Sequence, residues 1–127
     1  MDFRAPACSF PDQRGTTAIE FAIVAPLFLA LTVGTLYLGI CLFMVGSLHY
    51  SVEEAARCAS VRSTGDCSTS AKVVSYAQTR YFGPSSPTFT YQPAAACGNS
   101  VTGSVSYSLN FVITHVTVPL SATACFP

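Results

Sequence analysis

The sequence predicts an α+β fold in which a long N-terminal transmembrane helix extends into a small C-terminal domain with a short helix and an antiparallel sheet. Two observations carry this prediction. No Asp, Glu, Lys or Arg occurs from Phe21 to Leu48, and only 9% of the 127 residues are charged, against about a quarter in soluble globular chains. The C-terminal third alternates apolar and polar residues with period two, which is typical of strands with one buried face.

The uncharged segment is long enough to cross a bilayer, which needs about 20 apolar residues. As a helix it would extend for about 42 Å at about 1.5 Å per residue. Lipid offers no partner for free backbone groups, so the segment has to be helical. It is too long for the apolar region of a secretory signal, about 7–15 residues, and no evident A-x-A site follows. We therefore expect that the secretory peptidase does not remove it.

Helical character should continue beyond the apolar segment. Residues 51–61 are rich in helix formers, and Glu53 precedes Arg57 by four residues, the favourable order for an ion pair. Gly65 then marks a plausible end of the helix. Four small apolar residues follow one side of this stretch and should be covered by another element: Val52, Ala55, Ala56 and Ala59.

The C-terminal domain is predicted to contain one short helix and three strands. Residues 70–82 show helical periodicity, and the Gly- and Pro-rich stretch after them ends that helix. Residues 88–91, 101–113 and 116–124 read as strands. Pro119 suggests that the last strand lies at an edge of the sheet or is interrupted, because proline cannot donate a ladder hydrogen bond.

Four cysteines lie in this domain, which is small enough to need covalent support. They allow three connectivities, and we prefer the two pairs that are nearest in sequence. Zinc is the competing interpretation, but no C-x-x-C occurs and His49 and His115 are isolated. The preferred disulfide candidates are Cys58 with Cys67 and Cys97 with Cys125.

The cysteines also indicate the orientation of the chain. Arg4 and Arg14 on the N-terminal side balance Arg57 and Arg62 on the other side, so the positive-inside rule gives no preference. Disulfides form in oxidising compartments. We therefore expect the C-terminal domain to lie outside the cytoplasm.

Glu20 stands at the rim of the apolar helix, where a carboxylate is costly unless it has a partner. Cleavage after Gly15 would make Thr16 the first residue of the mature protein, with a new α-amine four residues before Glu20. The two charges could pair within one helix or between staggered helices, and the second arrangement would favour lateral packing in lipid. The alternative is that Glu20 is only an N-terminal acid favoured by the helix dipole.

The residues from Arg14 to Phe21 resemble a type IV pilin leader, in which a peptidase cuts after Gly and Glu is the fifth mature residue. Gly15 and Glu20 match, whereas Thr16 replaces the usual Phe. The wider string through Pro26 is similar to the start of TadE-like proteins, pseudopilins of tight-adherence (Flp-type) pilus systems, with the pattern R-G-x-x-x-x-E-F-A-x-x-x-P. Residues 54–61 extend this resemblance, which covers about residues 14–61.

The resemblance implies three segments: a leader peptide at 1–15, a transmembrane helix at 16–50 and an extracytoplasmic TadE-like domain at 51–127. Gly15 and Thr16 would be the processing site for a prepilin peptidase. Glu20 and Pro26 would serve subunit assembly, although a proline in the first half of a membrane helix can be tolerated without a functional kink.

The implied function is that of a minor pilin or pseudopilin in the assembly of an adhesive pilus. The expected partners are membrane lipid, the prepilin peptidase, other pilins and the inner-membrane assembly platform, with homo- or hetero-oligomers forming through the transmembrane helix. The implied location is the bacterial inner membrane, crossed once, with the N-terminus cytoplasmic and the C-terminal domain periplasmic or extracellular.

Other function classes fit the sequence less well. The formal net charge of zero argues against nucleic-acid binding. No nucleophile–base set, P-loop or dinucleotide motif is visible, so we expect no enzyme, no cofactor and no metal. The alternative function is a signal-anchored envelope protein with a disulfide-stapled periplasmic binding domain, which is not processed.

Overall fold

The computed structural model describes residues 14–110 and 114–127. Most of the predicted leader, and residues 111–113 of the predicted second strand, lie outside these ranges. Two helices precede three strands, and all bounds follow in chain order: α1 (Arg14–Val61), α2 (Ser70–Arg80), β1 (Thr88–Ala95), β2 (Gly98–Asn110) and β3 (His115–Phe126). The fold is therefore α+β, with a long apolar helix, a short helix and a three-stranded antiparallel sheet, as the sequence predicts.

The chain divides into two compact units, residues 1–37 and residues 38–127. In the first unit the apolar side chains of α1 are exposed on every side, for example Phe21 at 73% and Leu27 at 70%. Two hydroxyls of this apolar stretch bond to backbone carbonyls of the same helix: Thr32 Oγ1 donates to Phe28 O, and Thr35 Oγ1 to Thr32 O, each at 2.8 Å. By length and composition, α1 can cross a membrane.

The second unit has one apolar core built from all of its elements. α1 contributes a stripe whose spacing of three and four residues keeps it on one face. The predicted apolar side of the helix is thus covered. The buried members are Met44, Leu48, Val52, Ala55, Ala56, Cys58 and Ala59 from α1, Cys67 from the loop before α2, Val73 and Ala77 from α2, and Phe89, Val101, Val105 and Ala122 from the sheet.

Met44 and Leu48 belong to the uncharged segment, yet both are completely buried in protein. The last turns of the apolar run therefore form part of the core of the second unit. Ser51, the buried polar residue next to them, donates its Oγ to Leu48 O at 2.8 Å. A buried hydroxyl without such a bond would be costly, so the contact with the preceding turn explains why serine is tolerated there.

The sheet has the order β1–β2–β3, with both neighbouring pairs antiparallel. The alternation is as predicted: Val101 and Val105 face the core, and Ser104 and Ser106 face outward. β3 lies at an edge, as Pro119 suggests, and it is not interrupted. All three strands begin or end beyond their predicted bounds, because ladder pairing continues through residues that lack an apolar alternation, such as Gln92 and Asn99.

Two glycines of β2 are needed for this geometry. Gly98 has φ 114° just after the turn from β1, a conformation that side-chain-bearing residues rarely adopt. Gly103 faces α1, where an added Cβ would lie 2.7 Å from Phe89 Cε1 and 2.9 Å from Leu48 Cδ1. The absence of a side chain at Gly103 therefore allows β2 to approach the helix closely.

Candidate assembly helix and its disulfide-linked outer domain

Gly15, Thr16 and Glu20 lie in the first turns of α1, and all three are exposed. The peptide bond between Gly15 and Thr16 is at the end of the helix, where the first amides have no acceptor in a preceding turn. Among the described residues, apart from its chain neighbours and the adjacent helix backbone, no heavy atom lies within 4 Å of the position that a Cβ on Gly15 would take. Both residues of the predicted processing site are thus exposed, and cleavage there stays a prediction.

Thr16 and Glu20 are four residues apart in a continuous helix, so both lie on one side of it. An α-amine created at Thr16 would thus start on the same face as the Glu20 carboxylate. This spacing allows a pair within the helix, and the exposure of Glu20 also allows a contact with a neighbouring helix. The structure leaves both of the predicted arrangements available.

Pro26 lies within α1, and the residues on both sides of it are helical. Because proline has no amide hydrogen, the carbonyl of Ala22 loses its usual donor four residues later. Pro26 is exposed, as are most of its neighbours in the first unit. The exposure of Pro26 leaves it accessible to another helix, and its predicted role in subunit assembly stays a prediction.

The two disulfides have the preferred pairing. Cys58 bonds to Cys67 with a Cα–Cα distance of 5.9 Å, and Cys97 bonds to Cys125 at 6.0 Å. The first joins the last turns of α1 to the loop before α2, and the second joins the β1–β2 turn to the end of β3. Within the described ranges, Cys41 is the free cysteine, and it is half-buried in α1.

A chain of side-chain hydrogen bonds connects the end of α1 to the sheet. Asn99 Nδ2 donates to Ser60 Oγ at 2.9 Å, and Tyr91 Oη donates to Asn99 Oδ1 at 2.6 Å. Ser60 Oγ in turn donates to Phe126 O at 3.1 Å. These bonds link α1 to all three strands, and the sequence analysis missed them, because no local pattern brings together residues so distant in the chain.

Two tyrosines near the end of α2 have distinct environments. Arg80 donates to Tyr76 Oη at 3.1 Å and lies 5.0 Å from the centre of the Tyr76 ring. This hydrogen bond raises the pKa of the Arg80 guanidinium above its usual value. Burial raises the pKa of Tyr81, whose buried hydroxyl has no hydrogen-bond partner among the described residues.

Possible ligand sites are few in the described parts of the chain. These residues contain no group of three His, Cys, Asp or Glu that could hold a metal ion. His49 is exposed, and His115 Nδ1 lies 2.6 Å from Asn110 Oδ1. A cavity of about 260 Å³ beside Cys58 has Glu54, Arg57 and Arg62 in its lining. Glu53 and Arg57 are both exposed to solvent.

A comparison with known proteins finds a match that lies within α1. A family model described as TadE-like protein matches residues 15–57, which include Gly15, Glu20 and Pro26 and end just before Cys58. No curated protein and no solved structure matches the chain significantly. The resemblance recognised in the sequence is confirmed for residues 15–57, which are similar to TadE-like proteins.

Proposed function

We propose that this protein is a membrane-anchored minor pilin or pseudopilin that acts in the assembly of a tight-adherence pilus. The observation that carries the proposal is the TadE-like match over residues 15–57. It coincides with the part of the chain in which an apolar helix carries one acidic residue near its start. We further propose a structural role rather than a catalytic one.

Lateral assembly would depend on Glu20 and the N-terminus created by processing. The exposed apolar side chains around Glu20 would lie in lipid, where a carboxylate gains from an oppositely charged partner. The α-amine of Thr16 in a neighbouring subunit supplies such a charge. Packing between helices would then join this subunit to other pilins and to the inner-membrane platform, and Pro26 would shape the contact.

The predicted extracytoplasmic domain, residues 51–127, is called the outer domain here and would face an oxidising compartment. Two disulfides staple its elements together, and disulfides persist in the periplasm and outside the cell rather than in the cytoplasm. The anchor would therefore cross the bacterial inner membrane once, with the N-terminus in the cytoplasm. A peptidase on the cytoplasmic side could then reach the bond between Gly15 and Thr16.

The experiment is to sequence the N-terminus of the full chain after co-expression with a prepilin peptidase. We expect a mature chain that begins at Thr16. Gly15→Leu should stay unprocessed, and Gly34→Leu is the matched control, because a Cβ at either glycine meets no other part of the described chain within 4 Å. Folding should therefore be equal in both variants.

A purified wild-type chain that retains its first fifteen residues would overturn the processing proposal. It would favour the alternative of a signal-anchored envelope protein with a binding domain. Equal processing of the Gly15→Leu and Gly34→Leu variants would also contradict the assignment of Gly15 to the peptidase site.

A further inference from the structure

The sheet of the second unit contains no Asp, Glu, Lys or Arg, and His115 is its one titratable basic side chain among the described residues. No Asp, Glu, Lys or Arg occurs from Tyr81 to Pro127. The outward positions of β2 are instead hydroxyl residues such as Ser104, Ser106 and Ser108. A water-exposed sheet normally includes charged side chains, which limit unwanted association. The composition of this sheet is therefore compatible with a neighbouring surface of low polarity.

The direction of β2 along α1 follows from two contacts. Asn99 bonds to Ser60 near the end of α1, and Gly103 lies against Leu48, about three turns earlier in the helix. Moving along β2 therefore leads toward the N-terminal side of α1. From Gly103 to Asn110 the strand extends for about 23 Å at about 3.3 Å per residue.

The helix covers less distance over the corresponding stretch. From Leu48 back to Leu38, α1 rises by about 15 Å at about 1.5 Å per residue. By these lengths, the Asn110–His115 end of the β2–β3 pair reaches the level of residues 38–43, even if strand twist shortens its path. At that level the helix exposes apolar side chains, including Leu38 at 60%, Leu42 at 63% and Phe43 at 59%.

The described side chains at this end suit a medium of low polarity. Asn110 pairs with His115 in the ladder, and Asn110 Oδ1 lies 2.6 Å from His115 Nδ1, so one polar atom of each side chain has a partner. The next pair is Leu109 with Val116, and Val116 is 42% exposed. Moving a hydrogen-bonded polar atom out of water costs less free energy than moving an unpaired one.

We propose that the hairpin end formed by Leu109, Asn110, His115 and Val116 contacts the lipid of the bilayer that holds α1. The inference rests on the proposed membrane anchoring of this protein. Lipid is the expected occupant because α1 exposes apolar side chains at the same level and the sheet contains no Asp, Glu, Lys or Arg.

The test uses tryptophan fluorescence, because the chain contains no tryptophan. Val116→Trp, Phe126→Trp and Phe28→Trp are reconstituted separately as full-length chains in vesicles with brominated acyl chains. Phe126 is the matched control for Val116, since it lies in the same strand and is 40% exposed. Phe28, 65% exposed in the apolar part of α1, reports the anchoring.

We expect the emission of the Val116→Trp variant to shift to shorter wavelength and to be quenched nearly as strongly as that of Phe28→Trp. Phe126→Trp should be quenched little. Formation of the Cys97–Cys125 disulfide checks the fold of each variant. If Val116→Trp does not fold, His115→Trp is the second probe, because His115 is exposed at the same end.

Quenching of the hairpin probe no greater than that of Phe126→Trp, with Phe28→Trp strongly quenched, would overturn this inference and leave the anchoring intact. A blue shift of the hairpin probe without quenching would indicate a protein contact, such as a second copy, and would also overturn it. If Phe28→Trp is not quenched either, the proposed anchoring fails and this inference fails with it.

Discussion

Two stretches of α1 place their apolar side chains in opposite environments. Between Phe21 and Leu36 the large apolar residues are exposed around the whole helix, whereas from Met44 to Ala59 they form one buried stripe. Both stretches are helical, and both are rich in apolar residues. A helix that is apolar on all sides needs an apolar medium around it, whereas a helix with one apolar stripe needs a protein partner only along that stripe.

The test of the proposed function concerns the first stretch. Under the proposed function, Glu20→Ala should spare membrane insertion but lower the amount of this protein in the pilus apparatus by roughly tenfold. A tenfold change corresponds to about 1.4 kcal/mol, which is the loss expected when the proposed ion pair is removed. The measurement is co-purification with other pilus subunits. Glu53→Ala, an exposed carboxylate in the second stretch, is the matched control and should show normal recruitment.

The second stretch can be broken by one buried charge. Val52→Asp should unfold the outer domain, with a loss of about 3 kcal/mol or more, because Val52 is fully buried and an unpaired carboxylate is costly there. Val61→Asp changes the same residue type on the same helix at 67% exposure and should be tolerated. Limited proteolysis in detergent distinguishes the two variants. Equal resistance to the protease would contradict the inference that the buried face of α1 holds the core together.

The disulfides sharpen the comparison, because only the second unit has them in the described part of the chain. Cys58→Ser with Cys67→Ser should lower the stability of the outer domain by about 2–4 kcal/mol. Cys97→Ser with Cys125→Ser should cost about 1 kcal/mol more by chain entropy, since the bridged residues are 28 apart rather than 9. Thermal unfolding of both double variants in one detergent shows which of them is less stable. If the Cys58/Cys67 variant is less stable, the burial of these two cysteines outweighs loop length.

The smallest expected effect is at Tyr81. Tyr81→Phe should stabilise the domain by about 1 kcal/mol, because it removes a buried hydroxyl that has no partner among the described residues. Burial raises the pKa of Tyr81 in the folded state, so the neutral form is favoured there. Stability should fall as the pH rises above about 10, the ordinary pKa of tyrosine, and the fall should be smaller in Tyr81→Phe. Tyr107→Phe is the control in the same core.

Much of this arrangement follows from local sequence patterns. The apolar run and the small-residue stripe predict a long helix whose second half has a covered face, and alternation predicts which residues of β2 face the core. The candidate site residues Gly15 and Glu20 rest on a motif rather than on geometry, and their roles stay predictions. The pairing of four cysteines was open among three connectivities, and nearness in sequence favoured the pairing that the fold adopts.

Other features depend on distant contacts and leave no local signal. Met44 and Leu48 look like membrane residues, because lipid and a protein core both select apolar side chains and hydropathy does not separate them. The bonds of Ser60 with Asn99 and Phe126 join residues that only the fold brings together. The close approach at Gly103 also depends on the position of β2 relative to Leu48.

The charge-free sheet gives this protein an unusual tryptic digest. Trypsin cuts after Lys and Arg, and Arg80 is the last such residue, so the whole sheet should be recovered as one large peptide that contains the Cys97–Cys125 bridge. Cuts after Arg57, Arg62 and Lys72 place Cys58 and Cys67 in two short peptides, which their disulfide holds together. Any exchanged pairing would instead attach a short peptide to the large one, so a single non-reduced mass spectrum distinguishes native chains from scrambled ones.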